Sequence, residues 1–375
     1  MKKTTLSWPR LAGLLAFATL STWALQLTGS KANWPDAETV TAMETYIKAQ
    51  ERLWAERERL IDEETREELR VNDPLKTGIV GVEWSSRTTT PGSLEAKRTT
   101  AHPLWITVLR NWFLQAGVKA GDTIAIGASG SFPGMVIATR IAAESMQLNV
   151  RFIGSLTSSN YGANIPEMDI ARMDEILRLS GLLKQPPLAF TPGGSMDLAM
   201  ELEKEDRREL FKRMNALGSL QRIPTGLQAS INWREELLLN SKPEPKVFIN
   251  IGGSASCYGV GAAPLAIPSG LILASDHRAR FESKGDSVTF RALRRGINVI
   301  HLLHIRGLAA ENGIPYDPAQ IPSPAILRLP DRLAPLTRIL AGLLSLVMVI
   351  ALIFWRVPKP GPKDWFHSEE MEKAV

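Results

Sequence analysis

Two short stretches of this chain combine hydroxyls with small residues, and they hold its clearest capacity for chemistry. They are Ile124-Ala125-Ile126-Gly127-Ala128-Ser129-Gly130-Ser131 and Ile249-Asn250-Ile251-Gly252-Gly253-Ser254-Ala255-Ser256, near-copies of the pattern Ile-x-Ile-Gly-(Ala/Gly)-Ser-(Gly/Ala)-Ser. Small residues let a backbone turn sharply and leave N–H groups facing a ligand, and serine adds both a donor and an acceptor. A carboxylate or a phosphate is the group such a turn receives. The expected ligand-binding set is Ser129, Gly130, Ser131, Asn250, Gly252, Gly253 and Ser254. Lys97 and Arg98, at the end of a hydroxyl-rich stretch (84–98), add positive charge. Ser129 and Ser254 are also the candidate catalytic nucleophiles, with neighbouring N–H groups to hold an oxyanion. Pro192-Gly193-Gly194-Ser195 is a weaker third echo.

Established motifs are missing from these turns. A nucleophile elbow, Gly-x-Ser-x-Gly, requires glycine where Ser131 and Ser256 stand. Asp276-His277 is the local acid–histidine pair, but adjacent residues on a strand point apart. Neither Gly-x-x-x-x-Gly-Lys-Ser/Thr nor Gly-x-Gly-x-x-Gly comes after either strand. His301 and His304 lack the further His, Cys or carboxylate that would complete a metal set, so no metal and no cofactor is expected. Cys257, the single cysteine, reads as a small packing residue. The groups His277, Arg278, Arg280 and Arg291, Arg294, Arg295 read as solvated faces.

The elements that must position these turns are set by apolar runs and breakers. Apolar strands are expected at 78–83, 123–126, 150–156, 188–191, 246–251 and 298–303, and amphipathic helices at 103–116, 133–146, 166–183, 196–217, 227–239 and 287–295, with a further helix starting near Arg306. Strand–helix alternation specifies an α/β fold, and the copied turns suggest a duplicated, Rossmann-like parallel sheet with one crevice at the carboxyl ends of its strands. The first half is expected over 76–185 and the second over 186–314. Residues 35–70 read as one long charged helix within a membrane-proximal segment, 30–75.

The net charge of +5 would suit nucleic acid, but its distribution does not. Residues 30–335 carry 36 Lys+Arg against 35 Asp+Glu, so the excess lies in the tails. There it flanks two uncharged apolar runs, 11–27 and 339–355, expected to be transmembrane helices; a cleaved signal peptide is the rival reading of the first, although residues 28–33 offer no clear small-x-small cleavage site. Lys2, Lys3 and Arg10 place the N-terminal tail, 1–10, in the cytoplasm, and two spans return the tail 356–375 to the same side. A Pro-rich tether, 315–338, precedes the second span. The expected localisation is the cytoplasmic membrane, two-pass, with the α/β domain outside it.

Taken together, several strings resemble the poly-γ-glutamate system protein family. They are Gly81-Val82-Glu83-Trp84 with Thr88-Thr89-Thr90, Gly92-Ser93-Leu94-Glu95-Ala96-Lys97-Arg98, Gly121 through Pro133, Ile249 through Gly253, and Val299-Ile300-His301-Leu302-Leu303 with Arg306-Gly307-Leu308-Ala309. The resemblance runs through most of the region between the apolar runs. It implies a component of poly-γ-glutamate (capsular polyanion) synthesis and export, with the polymer, its ligase and other membrane subunits as partners, and no nucleic acid. It brings no catalytic residues with it. The leading expectation is a non-catalytic component that binds polymer or organises subunits; the alternative is a γ-glutamyl hydrolase or transferase of serine type.

Overall fold

Residues 35–275 and 285–321, together with the isolated Gly13, are described by a computed structural model. Eight strands occur among them: β1 (Thr88–Thr90), β2 (Thr123–Ala128), β3 (Asn149–Ser155), β4 (Ser158–Ser159), β5 (Ala189–Thr191), β6 (Val247–Ile251), β7 (Gly270–Ile272) and β8 (Asn298–Leu302). Six of them form one sheet in the order β5-β3-β2-β6-β8-β7, while β1 and β4 pair separately. Every pairing in the large sheet is parallel except β7 against β8. The protein is therefore α/β with a mixed, mostly parallel sheet. The three-residue strand β7 was not anticipated from the sequence, and its antiparallel pairing departs from the all-parallel expectation.

The two strands that end in copied turns lie side by side at the sheet's centre. Ile124 pairs with Val247, Ile126 with Ile249, and Ala128 with Ile251. By sequence pattern Ile124 corresponds to Ile249, so the copies are offset by two residues along the ladder. An even shift keeps every side chain on its face. Ile124, Ile126, Val247, Ile249 and Ile251 thus all enter one apolar cluster, while Ala125 and Phe248 enter the other. Both strands are buried throughout, as central parallel strands require.

Helices cover both faces. The larger cluster takes α1 (Ala37–Leu60), α4 (Leu104–Gln115), α5 (Pro133–Ser145) and α6 (Ile170–Leu179). Val288, Phe290 and Leu293 of α9 (Val288–Arg294), with Leu238 and Leu239, which come after α8 (Leu227–Glu235), pack the opposite face. Each fully buried Leu, Ile or Phe is worth about 1.5–3 kcal/mol. The charged segment 35–70 is not one helix. It breaks at Ile61, and Asp62 caps a second helix, α2 (Glu63–Asn72), by accepting from Thr65 N. Met43, Tyr46, Ala49 and Leu53 bury one side of α1 in the core, so α1 packs against the domain.

Three further expectations change. Residues 78–83 form no strand: Gly81 N donates to Tyr161 O and Val82 O accepts from Tyr161 N, while the Asn164 side chain accepts from Val82 N and donates to Val82 O. The helix expected over 166–183 is shortened to α6. The one expected over 196–217 is shortened to α7 (Lys204–Ala216), because Met196, Asp197 and Ala199 hold positive φ. The apolar runs 11–27 and 339–355, the cluster at His277, Arg278 and Arg280, and most of the tether lie outside the described residues. Among those residues no helix is long and apolar enough to cross a membrane.

Candidate functional site

The sheet order turns at β2/β6, since β2 connects onward to β3 on one side and β6 neighbours β8 on the other. The carboxyl ends of strands at such a reversal are where open α/β sheets bind ligands. Both copied turns meet there. Ser129 N donates to Ile251 O at 3.1 Å, and a Cβ on Gly252 would lie 2.3 Å from Ser129 Oγ. Gly252 holds φ +82°, which glycine adopts without strain.

The first turn is internally satisfied. Gly130 N donates to Thr157 O, Ala163 N donates to Gly130 O, and Ser131 Oγ accepts from Ser159 N at 3.0 Å. Pro133 then starts α5 at a position where the missing N–H costs nothing.

The second turn is open. Gly252 N donates to Leu302 O, but the N–H groups of Gly253, Ser254 and Ala255 have no hydrogen-bond partner among the described residues. Gly253 is exposed. Asn250 supports this turn from below: its amide donates to Gly252 O at 3.0 Å and lies 2.9 Å from His301 Nδ1. His301 stacks on Tyr258 with ring centroids 5.1 Å apart, and burial lowers its pKa to about 4.

A buried ionic post stands beneath the third turn. Arg234 donates to Asp197 at 3.1 Å and to Thr191 Oγ1 at 2.7 Å, and Asp197 accepts from Gly193 N. Arg234 also reaches Cys257 Sγ at 3.8 Å. Cys257 is buried, and burial pushes its thiol pKa up while Arg234 pulls it down. A side chain at Gly127 would meet this sulfur at 2.5 Å, so the thiol fills the space below the turns.

Lys97 enters from α3 (Leu94–Thr100), whose first turn is capped by Ser93. Its ammonium is buried, donates to Ser131 O and lies 2.8 Å from Ser159 Oγ, with the Phe132 ring 3.8 Å away. Burial lowers its pKa to about 7. Arg98, the next residue, points elsewhere and donates to Val71 O and Asn72 O at the end of α2.

These parts enclose a cavity of about 370 Å³. Of the expected residues, Lys97, Ser129, Ser131, Gly253 and Ser254 line it; Gly130, Asn250 and Gly252 support its walls, and Arg98 does not reach it. The structure adds the hydroxyls of Thr89, Thr90, Ser93, Thr157, Ser159 and Ser195 to its lining, of which Thr89, Ser93, Thr157 and Ser195 donate within the protein, and Glu201, which accepts from Ser195 N and Oγ. Ser159 carries no motif; only the pairing of β4 with β1 sets it opposite Lys97. Arg291, Arg294 and Arg295 are engaged by Asp286, Glu235 and Glu244. No group of three or more potential metal ligands occurs among the described residues. Comparison with protein-family models, curated proteins and solved structures finds no match.

Proposed function

We propose that this chain is a membrane-anchored component of poly-γ-glutamate synthesis and export, and that its cleft at the sheet reversal binds the polymer through its free α-carboxylates. The resemblance in sequence supplies the pathway. One observation supports the binding mode: three consecutive N–H groups, Gly253 to Ala255, unpartnered among the described residues and set on the rim of a hydroxyl-lined cleft. Such donors stabilise an anion without being neutralised by it. The two halves are read as a duplicated Rossmann-like unit, supported by the copied turns. The domain is read as extracytoplasmic between anchors at 11–27 and 339–355, where the polymer emerges and where ligase and channel subunits would meet it.

The test is equilibrium binding of long poly-γ-glutamate to the full-length chain in detergent micelles. The Ser129→Ala/Ser254→Ala double variant is expected to bind about tenfold or more weakly, the loss of one to two hydrogen bonds to charged groups. Equal affinity of variant and parent would overturn the binding mode. For the topology, protease added to intact spheroplasts should digest the α/β domain, and full protection would reverse the orientation.

A further inference from the structure

Lys97 is an unusual lysine. Lysine is almost never fully buried without a carboxylate partner, yet Lys97 is 1% exposed and forms no ion pair among the described residues. The other charged side chains nearby are committed elsewhere. Glu95 accepts from Ser93 Oγ, Arg98 binds Val71 O and Asn72 O and pairs with Asp317, and Glu201 holds Ser195. The amine's contacts are all internal: Ser131 O, Ser159 Oγ and the Phe132 face. It is therefore poorly placed to clamp a ligand directly and well placed to act on Ser159.

Ser159 is held by its backbone. It lies on β4 against β1, and its N–H is fixed by Ser131 Oγ. The hydroxyl lines the cleft, and the residue above it is Gly92, where a Cβ would lie 2.8 Å from Ser159 Oγ. Any larger residue at 92 would cover the oxygen. A nucleophile needs a positioned base within hydrogen-bond reach; Lys97 supplies one, and Ser159, although only 7% exposed, lines the cleft.

We propose that Ser159 is the nucleophile and Lys97 the general base of an acyl-transfer site that hydrolyses amide bonds of the chain held in the cleft. The inference rests on the polymer reading for its substrate and goes beyond it by assigning an activity. In the first step Ser159 Oγ bonds to the amide carbonyl carbon as its proton passes to the Lys97 amine. Lys97 then gives that proton to the leaving nitrogen as the C–N bond breaks, leaving an ester on Ser159 and a free amine. In the second step water attacks the ester, one of its protons passes through Lys97 to Ser159 Oγ as the C–O bond breaks, and the carboxylic acid released gives its remaining proton to the free amine product, leaving a carboxylate. The open N–H groups of Gly253, Ser254 and Ala255 are the backbone donors that the cleft offers an oxyanion. Burial holds the lysine pKa near neutrality, so the free amine is populated at working pH.

The test treats the full-length chain with a fluorophosphonate probe, maps the modified serine by mass spectrometry, and tracks the length of poly-γ-glutamate in parallel with its binding. Labelling should fall on Ser159, disappear in Ser159→Ala, and slow by about a hundredfold or more in Lys97→Met. Polymer shortening by the parent chain should be lost in Ser159→Ala. An unlabelled Ser159 in the parent chain, or equal labelling in a folded Lys97→Met, overturns the assignment. Polymer bound but neither cut nor labelling Ser159 would overturn the activity and leave the binding reading standing. Labelling at Ser159 with no affinity for polymer would support the dyad and remove poly-γ-glutamate as its substrate.

Discussion

Two turns that are nearly identical in sequence behave oppositely in the fold. The first, at Ser129–Ser131, is bonded on every side and runs straight into α5. The second, at Gly252–Ser256, keeps three N–H groups without a partner among the described residues and leads into a loop. The contrast arises outside the turns, from the segments next to them in the chain and in space. Phe132-Pro133 starts a helix after the first, while Tyr258-Gly259-Val260-Gly261 denies one to the second. The first turn is also flanked by Thr157 and Ser159, which satisfy it. A shared motif thus yields one structural turn and one with donors to spare.

The harshest perturbation is to remove the buried ionic post beneath the third turn, whose arginine also reaches Cys257. Arg234→Met strands Asp197 as an unpaired buried charge and should cost about 3–5 kcal/mol, read as a fall in the urea midpoint. A change below about 1 kcal/mol would mean that the pair is dispensable.

Acid should act on the open turn. His301 has a pKa near 4 in the fold against about 6.5 when unfolded, so its protonation favours the unfolded chain. Stability is full above pH 6.5, declines as pH falls toward 4, and levels below that. The full effect is on the order of 3 kcal/mol. His102, also lowered to about 4 by burial, adds a share over the same window. Urea midpoints at pH 7 and 4.5 for the parent and His301→Gln separate the two shares: the variant should lose less stability on acidification. Hydrogen exchange should accelerate at Gly252–Tyr258 before it does at Ser129–Ser131.

Within the second turn, neighbouring glycines should differ. Gly252→Ala faces both positive φ and a contact of 2.3 Å with Ser129 Oγ, and should cost about 2 kcal/mol. Gly253→Ala meets nothing nearer than Leu303 at 3.9 Å and should stay within about 0.5 kcal/mol. Equal costs, measured by urea unfolding, would mean that the turn rearranges freely. Single serines should act modestly, and on binding: Ser254→Ala should weaken polymer binding by about 1 kcal/mol and Ser129→Ala by less, because Ser129 N and its neighbours are already fixed by the sheet. The reverse order in binding titrations would make the first turn the ligand's seat.

Strand–helix alternation and strand ends were legible because apolar runs such as Ile124–Ile126 and Val247–Ile251 carry their burial in their composition. The two copied turns were legible as turns, and the sheet brings them together. What the chain's order hid was long-range. Residues 78–83 read as a strand because they are apolar, yet their partners are the backbone of Tyr161 and the side chain of Asn164, both distant in the chain. The break at Ile61–Asp62 was signalled by Asp62 and Thr65, a cap that the surrounding charge pattern masked. Lys97 was visible as a cation near hydroxyls, but its pairing with Ser159 depends on β1 meeting β4 across the intervening α3, α4, β2, α5 and β3. No local spacing encodes it.

Synthesis from the amino end presents the sheet with a timing problem. β2, β3 and β5 emerge together, but the neighbour on the other flank of β2 is β6, which emerges only after α7 and α8. Until then β2 offers an apolar, unpaired edge, which is a template for pairing with other chains. Long-range parallel pairing is also intrinsically slow, because the loop must close before its contacts form. The cleft therefore cannot exist before β6 is made, and a chain interrupted earlier leaves unpaired the very strand that should have formed its floor.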